Sequence, residues 1–142
     1  MCYTVSVEKK AKEAIREYLK SNEGVQMNFD FGEDLYFVSG FKHPKLPIIK
    51  QASIELSEWG LIPSFAFSTQ FANEMQAKTL NAHSGRIHET RSYKKPILSQ
   101  RCVLVVDGFF DNQDVNGKKF PYYIYPTNGK VFYMGCIYNS WT

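Results

Sequence analysis

Apolar positions along this chain fall into one helical stretch and a series of β-like runs. Between residues 8 and 20, Ala11, Ala14, Ile15, Tyr18 and Leu19 recur at the spacing that lines one face of a helix, with Lys and Glu opposite. Ser6 is a candidate N-cap for this helix, and Gly24 lies just past its end. Its pattern reads as packing, not chemistry. Residues 35–38 (LYFV) predict a strand, whereas the following FKHPKLPII carries too much proline for a helix or a central strand. Residues 53–61 alternate loosely and run into a proline-terminated turn at Trp59-Gly60-Leu61-Ile62-Pro63; residues 69–78 predict a short helix.

The last third carries the strongest β pattern. The run Cys-Val-Leu-Val-Val at 102–106 reads as a buried strand, and PYYIY at 121–125 and KVFYMGCIY at 130–138 are dense in β-formers. Asn116-Gly117 and Asn128-Gly129 are dipeptides that favour hairpin turns needing positive φ. No linker, repeat or low-complexity segment interrupts the chain. The expected architecture is a single α+β domain: one curved, barrel-like, mostly antiparallel sheet with a few peripheral helices.

Composition sharpens this picture in three ways. At 142 residues the chain has the length of one domain with a sizeable core, and its 15% aromatic content leans towards β structure. No apolar run approaches the roughly 20 residues of a membrane-spanning helix, and charge follows the amino terminus too soon for a secretory signal. A cytoplasmic location is therefore expected, nucleoid-associated in a bacterium. Three cysteines, an odd count without a CxxC pair, indicate neither a disulfide framework nor a zinc knuckle. No metal or other cofactor is expected.

Charge is uneven. Residues 1–80 hold nine Lys/Arg against ten Asp/Glu, while residues 81–142 hold eight against four. Arg86, Arg91, Lys94, Lys95 and Arg101 share the stretch 86–101 with Glu89 as its one acid, an arrangement that attracts phosphates or forms a solvated loop.

The candidate chemistry starts at Cys2. A small residue after the initiator is compatible with loss of Met1, which leaves an amino-terminal cysteine with an α-amine and a thiol on adjacent carbons. Such a 1,2-aminothiol condenses with an aldehyde to an imine and then closes a five-membered thiazolidine ring. An α-amine titrates near 7.7–8.0, so part of it is nucleophilic at neutral pH. Taken alone, Cys2 is better read as an incidental residue at a frayed end.

Its company decides otherwise. The blocks WGLIP at 59–63, Leu80-Asn81-Ala82-His83 with Glu89 after it, and Arg101-Cys102-Val103 running into Asp107-Gly108-Phe109-Phe110-Asp111 resemble, in order, motifs of the SRAP (SOS-response-associated peptidase) family. HPKLP, PYYIY and the final GCIYNSW extend the resemblance across residues 1–142. The resemblance implies a protein that recognises abasic sites in single-stranded DNA and traps the ring-opened sugar aldehyde as a thiazolidine on Cys2. It also implies an enzyme-like protein, with autoproteolytic loss of Met1 and lyase-like chemistry. Asn81 takes the place of the asparagine that orients sugar and cysteine, and Asp111 that of a carboxylate near the α-amine. Trp59 falls beside the expected DNA groove, with Phe41, His83, Arg86 and Arg91 as further DNA-binding candidates. His43 and His88 have no motif support and read as surface residues.

Departures from the family pattern are also visible. Thr4, His83, Asn112 and the pair Gly85-Arg86 stand where the family has an arginine, an arginine, a tryptophan, and an acid followed by threonine. Asp111 replaces a glutamate, and the family's histidine-containing segment near the carboxyl end is missing, so the domain reads as truncated there. These differences support an alternative: a non-catalytic single-strand binder or a structural remnant of the same fold.

Overall fold

The computed structural model describes residues 2–142. The amphipathic stretch forms helix α1 over Lys9–Ser21, and its apolar stripe places Ala11 and Ile15 at full burial in the core. Removing Ile15 alone from water stabilises the fold by about 1.5–3 kcal/mol. Two shorter helices follow, α2 (Thr69–Gln76) and the single turn α3 (Pro96–Ser99). The Ser68 hydroxyl accepts from Phe71 N at 3.1 Å and so caps α2.

Among the described residues, nine strands form two sheets. The first joins β1 (Thr4–Val7), β3 (Leu35–Ser39), β7 (Gly108–Val115) and β8 (Lys118–Ile124) in the order β3-β1-β7-β8. The second joins β2 (Gln26–Met27), β4 (Lys45–Ile49), β5 (Ser53–Glu58), β6 (Arg101–Val106) and β9 (Phe132–Ile137) in the order β2-β5-β4-β6-β9. Pairing is antiparallel except between β2 and β5. The α+β class therefore holds, but the single curved sheet expected from the sequence is two sheets that do not close. Core residues Val5, Val38, Leu46, Leu104 and Val106 lie in both.

Three local expectations are corrected. Pro47 sits inside β4, which has β5 on one side and β6 on the other. Pairing with β6 begins only at Ile48↔Leu104, so along that side the missing N–H of Pro47 leaves no ladder bond unmade. Asn116-Gly117 closes the β7–β8 hairpin with φ of 52° and 78°, as expected. Asn128-Gly129 closes none: only Gly129 has positive φ (72°), the Asn128 side chain accepts from Lys130 N, and the chain crosses from one sheet to the other.

The third correction concerns the cap of α1. Ser6 lies within β1, fully buried, its hydroxyl 2.7 Å from that of Tyr123. Glu8 holds the N-cap position without a side-chain cap. The free N–H groups of α1 are met by Asp107, nearly a hundred residues away: Oδ1 accepts from Glu8 N (2.6 Å) and Ala11 N (3.2 Å), Oδ2 from Lys10 N (3.1 Å). The Asp107 amide in turn donates to Ser6 O at 2.9 Å. Gly108 follows because Tyr123 crosses its Cα so closely that a Cβ would meet the ring at 2.5 Å.

Asp107→Ala is expected to lower the free energy of unfolding by about 2–4 kcal/mol, since it strips an anionic acceptor from three amides. Asp107→Asn, which keeps one acceptor oxygen, should fall between the two. Urea unfolding followed by far-UV circular dichroism measures this, and a loss below about 0.5 kcal/mol would remove the cap from the account.

Candidate active site

β1 is flanked by β3 and β7, and the chain leading into it is tied down by Gly40 N, which donates to Tyr3 O at 2.8 Å. Cys2 is half-buried there, and its thiol donates to Thr4 O at 3.3 Å. Met1, and with it the expected loss of the initiator, lies outside the described residues.

Cys2 forms part of the wall of a cavity of about 680 Å³. Leu46, Ile48, Leu104 and Met134 line it from the second sheet, and Asn81 lines it from the segment after α2. That segment is fastened by side chains. The Trp59 indole N–H donates to Leu80 O (2.8 Å), the Tyr93 hydroxyl donates to Asn81 O (3.3 Å), and the Thr79 hydroxyl donates to Leu61 O (2.6 Å). The main chain of Asn81 is thus fixed while its side chain is not. Asn81 Nδ2 is the one buried side-chain polar atom without a hydrogen-bond partner among the described residues. A buried unpaired amide donor costs about 1–3 kcal/mol, a cost that an acceptor entering the cavity would cancel.

The WGLIP block earns its sequence structurally. Gly60 has φ of 107°, and a Cβ there would lie 2.7 Å from Gln76 O; Pro63 is fully buried. His43, expected at the surface, is half-buried, and its Nδ1 donates to Trp59 O at 2.8 Å. Trp59 lines the cavity, but its ring N–H is committed to Leu80.

Electrostatics couple Cys2 to two neighbours. Burial pushes its thiol up from the ordinary value, a backbone hydrogen bond with Thr4 pulls the other way, and the Asp111 carboxylate pushes up again. Asp111 is half-buried on β7 and also accepts from Asn112 N through Oδ1. Cys136 pairs directly with Cys102 across β9 and β6, and both line the cavity. Burial raises the Cys136 thiol, with Cys2 adding to the effect, and pushes that of Cys102 up to about 12.

The remaining candidates lie elsewhere. Phe41, His83, Arg86 and Arg91 are exposed, and none lines the cavity. Phe41 packs on Tyr3 with centroids 5.2 Å apart, His83 Nδ1 accepts from Gly85 N, and the Arg91 guanidinium lies 4.0 Å over Phe65. Of the residues named from the sequence, Cys2, Asn81 and Trp59 line the cavity, while Asp111 on β7 does not line it but acts on the Cys2 thiol through its charge. Sequence reasoning missed Tyr93, Thr79 and Cys136, whose roles arise from contacts that no local pattern announces.

Comparison with known proteins gives concordant results. The family model for SOS response associated peptidase (SRAP) matches residues 1–142. The chain is 45% identical over 74 residues to the abasic site processing protein HMCES of Gallus gallus, covering 51% of this chain and 22% of that one. It is 27% identical over 124 residues to the abasic site processing protein YoqW of Bacillus subtilis, covering 78% and 54%. A crystal structure of a protein from Bacteroides thetaiotaomicron superposes with a TM-score of 0.83 at 31% identity, over 96% of this chain and 59% of that one. The chain thus spans between about a fifth and three-fifths of the length of these relatives.

The electrostatics predict how Cys2 responds to pH. Its alkylation by iodoacetamide, followed at that residue by peptide mass spectrometry, should turn on at a pH above that of an unperturbed cysteine. Asp111→Asn removes a negative charge that opposes the thiolate, so the turn-on should move to lower pH. A turn-on below the ordinary cysteine value, or one indifferent to Asp111→Asn, contradicts the placement of these groups.

Proposed function

We propose, from the premise that this chain belongs to the SOS response associated peptidase (SRAP) family, that it captures abasic sites in single-stranded DNA as a covalent thiazolidine on Cys2. The observation that carries this reading is the joint placement of Cys2 and the unpartnered Asn81 amide on the wall of one cavity. The names of the relatives in Gallus gallus and Bacillus subtilis support abasic sites as the target.

In the proposed sequence, removal of Met1 frees the α-amine of Cys2. That amine adds to C1′ of the ring-opened deoxyribose, and loss of water gives an imine. The thiol then adds to the imine carbon and its proton moves to nitrogen, closing the thiazolidine with one water released in total. Asn81 Nδ2 supplies the donor for the carbonyl oxygen as charge develops on it. Asp111, within electrostatic reach of Cys2, accepts a proton from the incoming ammonium and returns it to the departing hydroxyl. Ring closure also protects the strand, because an imine left open withdraws electrons and promotes β-elimination of the phosphate. The exposed bases Arg86 and Arg91 supply phosphate contacts outside the cavity.

Intact-mass spectrometry after incubation with a single-stranded oligonucleotide carrying one abasic site tests this reading. The expected product lacks Met1 and carries the oligonucleotide minus one water. Cys2→Ala should abolish it, and Asn81→Ala should slow it by on the order of 100-fold. Retention of Met1, or equal adduct in Cys2→Ala, overturns covalent capture and leaves non-covalent strand binding.

A further inference from the structure

The cavity beside Cys2 offers more than a pentose needs. Its 680 Å³ falls within the range of pockets that enclose whole drug-sized ligands. Most of its wall is apolar, with Leu46, Ile48, Leu104 and Met134 from the second sheet and Ile87 and Ile97 from the stretch ahead of β6, while Glu58, Arg101 and Asn139 are among its polar members. A sugar-phosphate backbone has no use for such a surface, whereas an alkyl chain is drawn to it.

We infer that this cavity admits unbranched apolar aldehydes as a second substrate class, trapped by the same aminothiol. The inference rests on the reading above, in that Cys2 carries a free α-amine. The Cys2 nitrogen adds to the aldehyde carbon, and the carbonyl oxygen leaves as water with both amine hydrogens. The sulfur then bonds to the same carbon while its proton passes to nitrogen. One water is released and nothing is oxidised or reduced. Asn81 Nδ2 faces the carbonyl end of the guest, and the alkyl tail lies along Leu46, Ile48 and Leu104.

An amino-terminal cysteine in water reacts with any aldehyde, so the signature is the dependence on chain length. The full chain, with Met1 removed, is equilibrated with propanal, pentanal and heptanal, and adduct is read by intact mass. A peptide of sequence Cys-Tyr-Thr-Val serves as the reference, and an abasic oligonucleotide is run in parallel. Relative to the peptide, adduct stability should rise by roughly fourfold for each added methylene buried, until the cavity is filled. Ile87→Trp, which fills the cavity from a loop, should flatten that rise, and Met134→Phe should flatten it from the sheet side. A protein series parallel to that of the peptide, alongside abasic-site adduct, overturns the inference and leaves the proposed function standing. Absence of adduct with both aldehydes and oligonucleotide overturns both.

Discussion

The arrangement depends on one carboxylate. Asp107 sits at the corner between β6 and β7, where its side chain accepts from three amides at the start of α1 and its own amide donates to Ser6. Those bonds join the beginning of the chain to its second half. They fix the angle at which α1 leaves β1, and hence which side of β1 faces the interior. With β1 held between β3 and β7, the short segment ahead of Thr4 has little freedom, and Cys2 is delivered to the cavity instead of fraying into solvent. The acceptor is suited to the task, since a negative charge at a helix amino terminus meets both the free N–H groups and the helix dipole. Gly108 beside it lets Tyr123 close over Ser6, sealing the buried hydroxyl with a partner.

The same economy governs the other wall. Trp59 and Tyr93 hold two successive carbonyls, those of Leu80 and Asn81, so the peptide carrying Asn81 is located by rings packed from opposite directions along the sequence. A main chain fixed this firmly can leave its side-chain amide without a partner, because relaxing to find one would break two or three existing bonds. The unsatisfied donor is therefore a property of the frame. That is the condition for an acceptor-binding group that needs no rearrangement when its ligand arrives.

How much of this the sequence showed depends on whether the determining contact is local. The stripe of α1, the buried run of β6 and the Asn116-Gly117 turn are set by neighbours in sequence, and all were legible. Pro47 within a strand was not, because proline is excluded only where a ladder bond is required, and the extent of β6 pairing is a tertiary matter. Asn128-Gly129 carries a hairpin dipeptide, but the strands on either side belong to different sheets. Ser6 satisfied the composition rule for a cap and lost the role to Asp107, whose distance along the chain hid it. Asp107 itself had been seen only as the first residue of a motif. For the site, Cys2 and Asn81 were named through family resemblance, while the bonds that position them join residues 12 to 21 apart or more.

The electrostatics at Cys2 bear on the order of its chemistry. Burial and the Asp111 charge both disfavour the thiolate, so the sulfur rests as a neutral thiol, poorly reactive towards oxidants and alkylating agents. That resting state would be a handicap if sulfur had to attack first. In thiazolidine formation nitrogen attacks first, and sulfur is required only after the imine exists. An imine protonated by a nearby group is electrophilic enough to be closed by a thiol whose proton is taken up as the bond forms. In the proposed capture Asp111 is the fixed proton acceptor, a role that requires its carboxylate to reach the amine directly. Aspartate is one methylene shorter than glutamate, so in the proposed capture its reach depends on its position on β7, four residues past Asp107.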